Sequence, residues 1–137
     1  MTAPQPPPVI PENFQDILAS TTLAHVATLG PRGEPQSTPV WFIWDGQHLK
    51  FSQTTTRQKY RNLRRDPRIA VSLVDPHNPN RSLEIRGVAR LEEDQDLSFV
   101  DSLAQKYLGL DKFPYHQPGD KRVVVVVEPQ HITHFGS

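Results

Sequence analysis

The sequence predicts a mainly β fold, a six-stranded antiparallel barrel with flanking helices. Three observations carry this expectation. Short stretches of alternating or continuously apolar residues recur between turn-forming residues along most of the chain. An Asp-Gly pair at 45–46 joins two of them as a hairpin. Hairpins and short loops join several of the strands, which argues for an antiparallel barrel over a parallel sheet, whose every connection is a crossover of a dozen or more residues.

The elements follow in chain order. Residues 1–11 include Pro4, Pro6, Pro7, Pro8 and Pro11 and read as a polyproline tail ahead of the domain, which spans 12–137. Phe14, Ile17 and Leu18 fall at helical spacing and predict a short helix over 12–20. Strands are expected at 23–29, 36–44 and 48–54, with a Gly-Pro-Arg-Gly turn at 30–33. A helix begins near Arg57 and stops at Asp66-Pro67. Further strands are expected at 69–74, 83–91 and 122–128, the last continuing past Pro129 at 132–135. Its five consecutive valines imply burial on both faces. Gly87 marks a bulge or a close backbone approach. Residues 94–108 read as an amphipathic helix, with Glu92-Glu93-Asp94 as strand exit and helix cap.

At 137 residues the chain is long enough for one core. No apolar run spans a membrane and no export signal is evident, so a cytoplasmic protein is expected. There is no cysteine, which excludes disulfides, thiolate catalysis and cysteine-ligated metals. His131 and His134 have the spacing of a helical metal pair, but on a strand they point to opposite faces, so no metal site is expected. No G-x-S-x-G nucleophile motif and no paired acids stand out.

The formal net charge is zero, so any site for an anion must be local. Residues 57–68 hold Arg57, Lys59, Arg61, Arg64, Arg65 and Arg68. Cations at the start of a helix oppose its dipole unless an anion sits there. In helical projection Arg57, Arg61, Arg64 and Arg68 share a face, with Arg65 nearby, and Lys59 lies close to Asn62. The first turn, with Arg57, Lys59 and Asn62 and the hydroxyls of Thr55 or Thr56, reads as a phosphate cradle. The outer arginines read as a solvated charged face. On 36–44, Gln36, Thr38, Val40, Phe42 and Trp44 share one face and Ser37, Pro39, Trp41 and Ile43 the other. Phe42 and Trp44 read as core. Pro39 lacks an N–H and places the strand at an edge or interrupts its ladder, leaving Ser37, Thr38 and Pro39 as candidate ligand contacts. An anion cradle without acid–base machinery suits a cofactor that carries the chemistry.

Three segments taken together are familiar. They are Gly-Glu-Pro-Gln-Ser-Thr-Pro-Val-Trp-Phe-Ile-Trp-Asp-Gly at 33–46, Arg-Gln-Lys-Tyr-Arg-Asn-Leu-Arg-Arg-Asp-Pro-Arg at 57–68, and Leu-Glu-Ile-Arg-Gly-Val-Ala-Arg-Leu at 83–91. In order and spacing, over about 12–135, the chain resembles the pyridoxamine 5′-phosphate oxidase-like split β-barrel superfamily. Within it the likeness is to the oxidoreductases that depend on coenzyme F420. The resemblance implies a homodimer with two cofactor sites at the subunit interface. It implies that Arg57, Lys59 and Asn62 hold the cofactor phosphate. Gln36, Ser37, Thr38, Pro39 and Val40, with Ser52, Gln53 and Thr54, would line the ribityl chain and ring. Arg61, with Arg64, Arg65 and Arg68, would follow the acidic tail of F420.

The activity so implied is hydride transfer from the reduced deazaflavin to an unsaturated or conjugated small molecule, with the proton from solvent or Tyr60. Loops 76–81 and 109–120 would shape the substrate pocket. The loop before the strand at 83 lacks the aromatic residue that the family often presents to its partner subunit, which leaves Arg81 or the C-terminal segment for that contact. FMN is the alternative cofactor, and a non-catalytic flavin or tetrapyrrole binder the alternative role; a nucleic-acid partner is disfavoured by the zero net charge.

Overall fold

The computed structural model describes residues 6–137. Residues 1–5 of the expected tail lie outside them. Among the described residues no helix is long and apolar enough to cross a membrane. After a single 3-10 turn at Glu12–Phe14 come α1 (Gln15–Ala19), β1 (Ala24–Leu29), β2 (Pro35–Val40), β3 (Ile43–Trp44) and β4 (Leu49–Thr54). They are followed by α2 (Gln58–Arg65), β5 (Arg68–Asp75), β6 (Asn78–Glu93), α3 (Ser98–Leu108) and β7 (Arg122–Phe135). The strands form one antiparallel sheet in the order β2-β1-β5-β6-β7-β4-β3, curled into a split barrel.

Seven strands replace the expected six because the stretch 36–44 is not one strand. It breaks at Trp41-Phe42, and its two halves lie at opposite edges of the sheet. β2 pairs with β1, placing Pro39 opposite His25, and β3 pairs with β4. The Asp-Gly signal is therefore met by Ile43–Trp44 alone. The loop holds four residues, closed by the Asp45 N–H to the His48 carbonyl at 3.1 Å, with Gly46 at φ 100°.

The inner face of the sheet carries Val26, Phe51, Val71, Leu73, Ile85, Val125 and Val127, packed with Phe14, Ile17 and Leu18 from the N-terminal turns and Leu63 from α2. Val124 and Val126 are buried outside that cluster, so the valine run is covered on both faces. Ile10, within the stretch expected to be tail, is also part of the core.

The helix expected from 94 starts at Ser98. Leu97 takes a left-handed conformation at φ 61°, and the buried Asp94 carboxylate accepts the N–H groups of Phe99 (3.1 Å) and Val100 (3.0 Å). Asp94 is the cap; the helix lies beyond it. The connection between the strands expected at 69–74 and 83–91 shrinks to Pro76-His77, because Asn78 already belongs to β6.

Gly87 satisfies both readings made of it. The β6–β7 register shifts between Arg86 and Gly87, opposite Pro129. A Cβ at Gly87 would lie 1.9 Å from the Glu128 carbonyl oxygen. Gly87→Ala should cost about 1–3 kcal/mol, as overpacking against backbone does. The measurement is the thermal midpoint, and an unchanged midpoint would contradict the close approach.

Asp45 makes the β3–β4 turn sensitive to acid. Partial burial works to raise its pKa. The N–H groups of His48 (2.7 Å) and Gln47 (2.8 Å) and the Lys50 ammonium (3.0 Å) outweigh that and hold it down to about 2. Unfolded aspartate titrates near about 3.9. The stabilisation is thus complete above that pH and is lost as pH falls toward the folded value. Asp45→Asn should flatten the acid limb of a plot of urea midpoint against pH. Parallel wild-type and variant curves would remove Asp45 from the account.

Candidate functional site

α2 begins at a place a helix disfavours. Arg57 is its N-cap in extended conformation, no side chain caps the first turn, and that turn contains no acid. The turn is anchored from behind. The Arg57 N–H donates to the Thr54 carbonyl (3.3 Å), the Thr55 N–H donates to the Lys121 carbonyl (3.0 Å), and the Thr54 and Thr56 hydroxyls lie 3.3 Å apart. Arg57 is exposed and Lys59 half-buried. Burial lowers the Lys59 pKa, and the neighbouring Arg57 charge lowers it further. Neither forms an ion pair among the described residues, although Lys50, Arg68, Arg81, Arg86, Arg90 and Lys112 all do. The start of α2 is a concentrated, uncompensated positive field.

Asn62 occupies a different position from the rest of the cradle. It is fully buried, and both ends of its amide are engaged. Its Nδ2 donates to Thr28 Oγ1 and to Gln36 Oε1, each at 3.0 Å. Its Oδ1 accepts from Gln58 (2.8 Å) and Arg65 (3.2 Å). Asn62 thereby ties α2 to β1 and β2. Asparagine suits a buried node because one short amide both donates and accepts.

The candidate strand residues divide by face. Gln36, Thr38 and Val40 are half-buried on one side of β2, and Ser37 and Pro39 are exposed on the other. Thr38 Oγ1 is buried without a partner. On β4, Gln53 and Thr54 are buried, and Ser52 accepts a hydrogen bond from Arg122 Nη1 at 3.3 Å. β2 and β4 lie far apart in the sheet order. α2 brings them to one site, touching β1 and β2 through Asn62 and following directly on β4.

The arginine stripe does not form as projected. The helix ends at Arg65 with Asp66 as its C-cap, so Arg68 belongs to β5, where Asp66 binds its guanidinium at 2.6 Å. Arg65 donates to the Leu29 carbonyl at 2.8 Å. Arg61 donates to the Thr56 carbonyl (2.9 Å) and Gln58 Oε1 (2.8 Å), and Arg64 lies 5.7 Å from the centre of the Tyr60 ring. Arg61, Arg64 and Arg65 are exposed and carry no carboxylate, and of these Arg65 is held by the Leu29 carbonyl and Asn62.

Arg81 is not free to reach a partner subunit. It is buried and bound to Asp75 (2.5 Å), Asp16 (3.0 Å) and the Asn13 carbonyl (2.5 Å), with Phe14 beneath it at 4.9 Å. An arginine after a Pro-Asn turn reads as exposed in sequence, because its two aspartates are 6 and 65 residues away.

Sequence reasoning missed an aromatic group beside the site. Trp41 stacks on Tyr107 (5.2 Å, 7° between planes) and meets the edge of Phe113 at 6.2 Å. Phe113 meets Tyr115 at 5.6 Å, and Arg122 lies 4.5 Å over the Phe113 ring. These residues come from a strand junction, a helix, a loop and a strand start, so no local period marks them. Next to this group, a cavity of about 560 Å³ is lined by Thr55, Tyr60, Asp94, His116, Asp120 and Arg122 among others.

Comparison with known proteins agrees with this architecture. The chain matches the pyridoxamine 5′-phosphate oxidase family over residues 10–136. A solved structure named F420 reductase is 38% identical and superposes with a TM-score of 0.81, covering 90% of this chain and 98% of that one. The conserved hypothetical protein Rv2991 from Mycobacterium tuberculosis is 28% identical with a TM-score of 0.74, covering 98% of this chain and 89% of its own. A heme binding protein from Mycobacterium smegmatis, 23% identical with a TM-score of 0.70, covers 92% of this chain and 53% of its own, and shares the fold. No curated protein sequence matches. A family match over nearly the whole chain, on a split barrel with the basic helix α2 packed on β1 and β4, places this chain in the pyridoxamine 5′-phosphate oxidase-like family of split β-barrels.

Proposed function

We propose that the chain is a reductase dependent on coenzyme F420, acting as a homodimer with two cofactor sites at the subunit interface. The observation that carries this reading is the first turn of α2, where Lys59 is depressed by burial and by Arg57 and no carboxylate answers either charge. A cofactor phosphate fits that turn: it would supply the missing counter-charge and accept from the helix N–H groups. Thr38, with a buried hydroxyl that lacks a partner, supports a polar ligand edge against β2.

In this reading Arg57 and Lys59 bind the phosphate. Asn62 orients Gln36 and α2 without touching the ligand, since its amide is engaged on both sides. Gln36, Thr38 and Val40, with Ser52, Gln53 and Thr54, hold the ring and ribityl chain in place. When bound, a reduced deazaflavin supplies a hydride to an unsaturated acceptor. The barrel wall excludes water from the reacting face. The identity to the F420 reductase and the unpaired exposed arginines Arg61 and Arg64 favour F420 over FMN. The F420 tail extends past the phosphate and is acidic, whereas FMN ends there.

The deciding experiment titrates the purified chain with F420 and with FMN, followed by fluorescence. Arg57→Ala and Lys59→Ala should each weaken the bound cofactor about 10–100-fold, the cost of one charge-assisted hydrogen bond. Arg61→Gln with Arg64→Gln should weaken F420 several-fold and leave FMN unchanged. Tight FMN binding without F420 binding would reverse the choice. Asn62→Ala should lower stability by about 1–3 kcal/mol, because the buried Thr28 hydroxyl and the half-buried Gln36 amide lose their partner. A shift in cofactor affinity with an unchanged thermal midpoint would make Asn62 a direct ligand instead.

A further inference from the structure

Residues 109–120 run from the end of α3 toward the start of β7 with neither helix nor strand. Loops of that length are uncommon inside a compact domain and are usually functional. This one is thinly attached. Phe113, His116 and Asp120 are half-buried, and the rest of it is exposed. None of it belongs to the hydrophobic core. Beyond Leu110, among the described residues, its hydrogen bonds to the rest of the chain go to one carboxylate. Asp101 accepts the Phe113 N–H at 2.8 Å and the Lys112 ammonium at 3.4 Å. Gln117 and Asp120 bond to each other, at 3.1 and 3.0 Å. A segment with so few buried apolar contacts opens at a lower free energy than the fold as a whole.

Both ends of the loop carry a glycine in the left-handed region, Gly109 at φ 70° and Gly119 at φ 88°. No atom stands within 4 Å of the position a Cβ would take at either, so nothing packed against these turns resists a change of dihedral angle. Outside each glycine the chain is fixed. The Gly109 N–H donates to the Gln105 carbonyl at 3.1 Å, and the Lys121 carbonyl accepts the Thr55 N–H at 3.0 Å. Free turns between fixed ends are hinges. The latch is fixed too, because Asp101 stands on α3 between the buried Val100 and the buried Leu103. The loop also borders the start of α2. His116 and Asp120 line the same cavity of about 560 Å³ as Thr55 and Tyr60, which stand on either side of Arg57 in the chain. The Phe113 ring lies 4.5 Å from the guanidinium of Arg122, which holds Ser52 on β4.

We propose that residues 109–120 are a gate, hinged at Gly109 and Gly119 and latched by Asp101, that opens as a unit to admit the cofactor to the first turn of α2. Its role as a gate rests on the cofactor reading above; its opening as a unit does not. Phe113, resting on Arg122, and the two bonds to Asp101 hold the closed position.

The test digests the full chain with trypsin, without added cofactor, and follows by mass the cleavage after Lys112, inside the loop. Below the unfolding transition that cleavage should not change with urea, because a local opening exposes little surface. Asp101→Ala should speed it about tenfold, the loss of one charge-assisted hydrogen bond. Phe113→Ala should speed it too, and keeps the question answerable if Asp101→Ala disturbs α3. Stopped-flow fluorescence with F420 and with FMN then reads the gating. Asp101→Ala should raise the association and dissociation rates of the bound cofactor together, by about three- to tenfold, and leave its affinity within about twofold. The proposal falls if cleavage after Lys112 follows global unfolding in urea, or if neither variant speeds it. It also falls if cofactor rates stay unchanged in a variant whose loop is cut faster. Faster cleavage in both variants of a chain that binds neither cofactor keeps the hinged loop and removes the cofactor reading. Cofactor binding at rates that neither variant alters removes the gate and keeps that reading.

Discussion

Between Val40 and Ile43 the backbone leaves one edge of the sheet and enters the other, and Phe42 is the residue that makes the crossing. α3 holds it from two sides: the Phe42 N–H donates to the Tyr107 hydroxyl at 3.2 Å, and its carbonyl accepts from Lys106 at 2.9 Å. The same Tyr107 hydroxyl donates to the Thr22 carbonyl at 2.8 Å, so one phenol fixes the crossing to the entry of β1. The Phe42 ring is fully buried, with the Lys106 ammonium 3.9 Å from its centre. A backbone crossing between sheet edges has no ladder partners of its own, and side-chain donors and acceptors must replace them. The replacement has an electrostatic cost: burial lowers the Lys106 pKa to about 8 and raises that of Tyr107 to about 12. The stacking of Trp41 on Tyr107 and the approach of β2 to α2 both depend on where this crossing is held.

The distribution of charge follows a second constraint. The chain has 15 basic and 15 acidic residues, so a cation without a partner implies an acid used elsewhere. Several carboxylates serve backbone N–H groups, some of them alongside a cation. Asp94 caps α3, Asp45 closes a turn, and Asp75 accepts the His77 N–H while binding Arg81. Glu128 is taken by Arg90. The start of α2 receives none of them. A neutral chain thus carries a strong local positive field, which is how small anionic ligands are attracted without general affinity for polyanions.

Much of this was legible along the sequence. The helix stop at Asp66-Pro67, the valine strand buried on both faces and the close approach at Gly87 each follow from local chemistry. The break at Trp41-Phe42 was not legible, because Gln36, Thr38, Val40, Phe42 and Trp44 keep a period of two straight through it. Alternation reports which side of the chain is buried, not which strand lies beside it. Arg81 and Arg122 were misread or missed for a related reason. Their roles are set by Asp16, Asp75, Ser52 and Phe113, which only the folded sheet brings near. Asn62 was placed in the cradle because projection puts it near Lys59, but projection does not show that Gln36 and Thr28 consume its amide.

The helix dipole separates what the basic segment can be evidence for. Cations in the last turn of a helix are favoured by the field of its C-terminal carbonyls and need no ligand to explain them. Arg64 and Arg65 stand there, Arg65 already occupied by the Leu29 carbonyl and Arg64 resting on Tyr60. Arg57 and Lys59 stand where the same field opposes them, and burial adds to the opposition at Lys59. A bound anion is therefore called for by two residues of the first turn and not by the number of arginines after them. Arg61 sits between the two regimes, turned back to Thr56 and Gln58. A ligand that ends at its phosphate leaves those bonds intact. A ligand whose acidic chain continues outward offers Arg61 a charged acceptor in place of two neutral ones, and that exchange is the physical basis on which this surface can tell a long acidic tail from a short one.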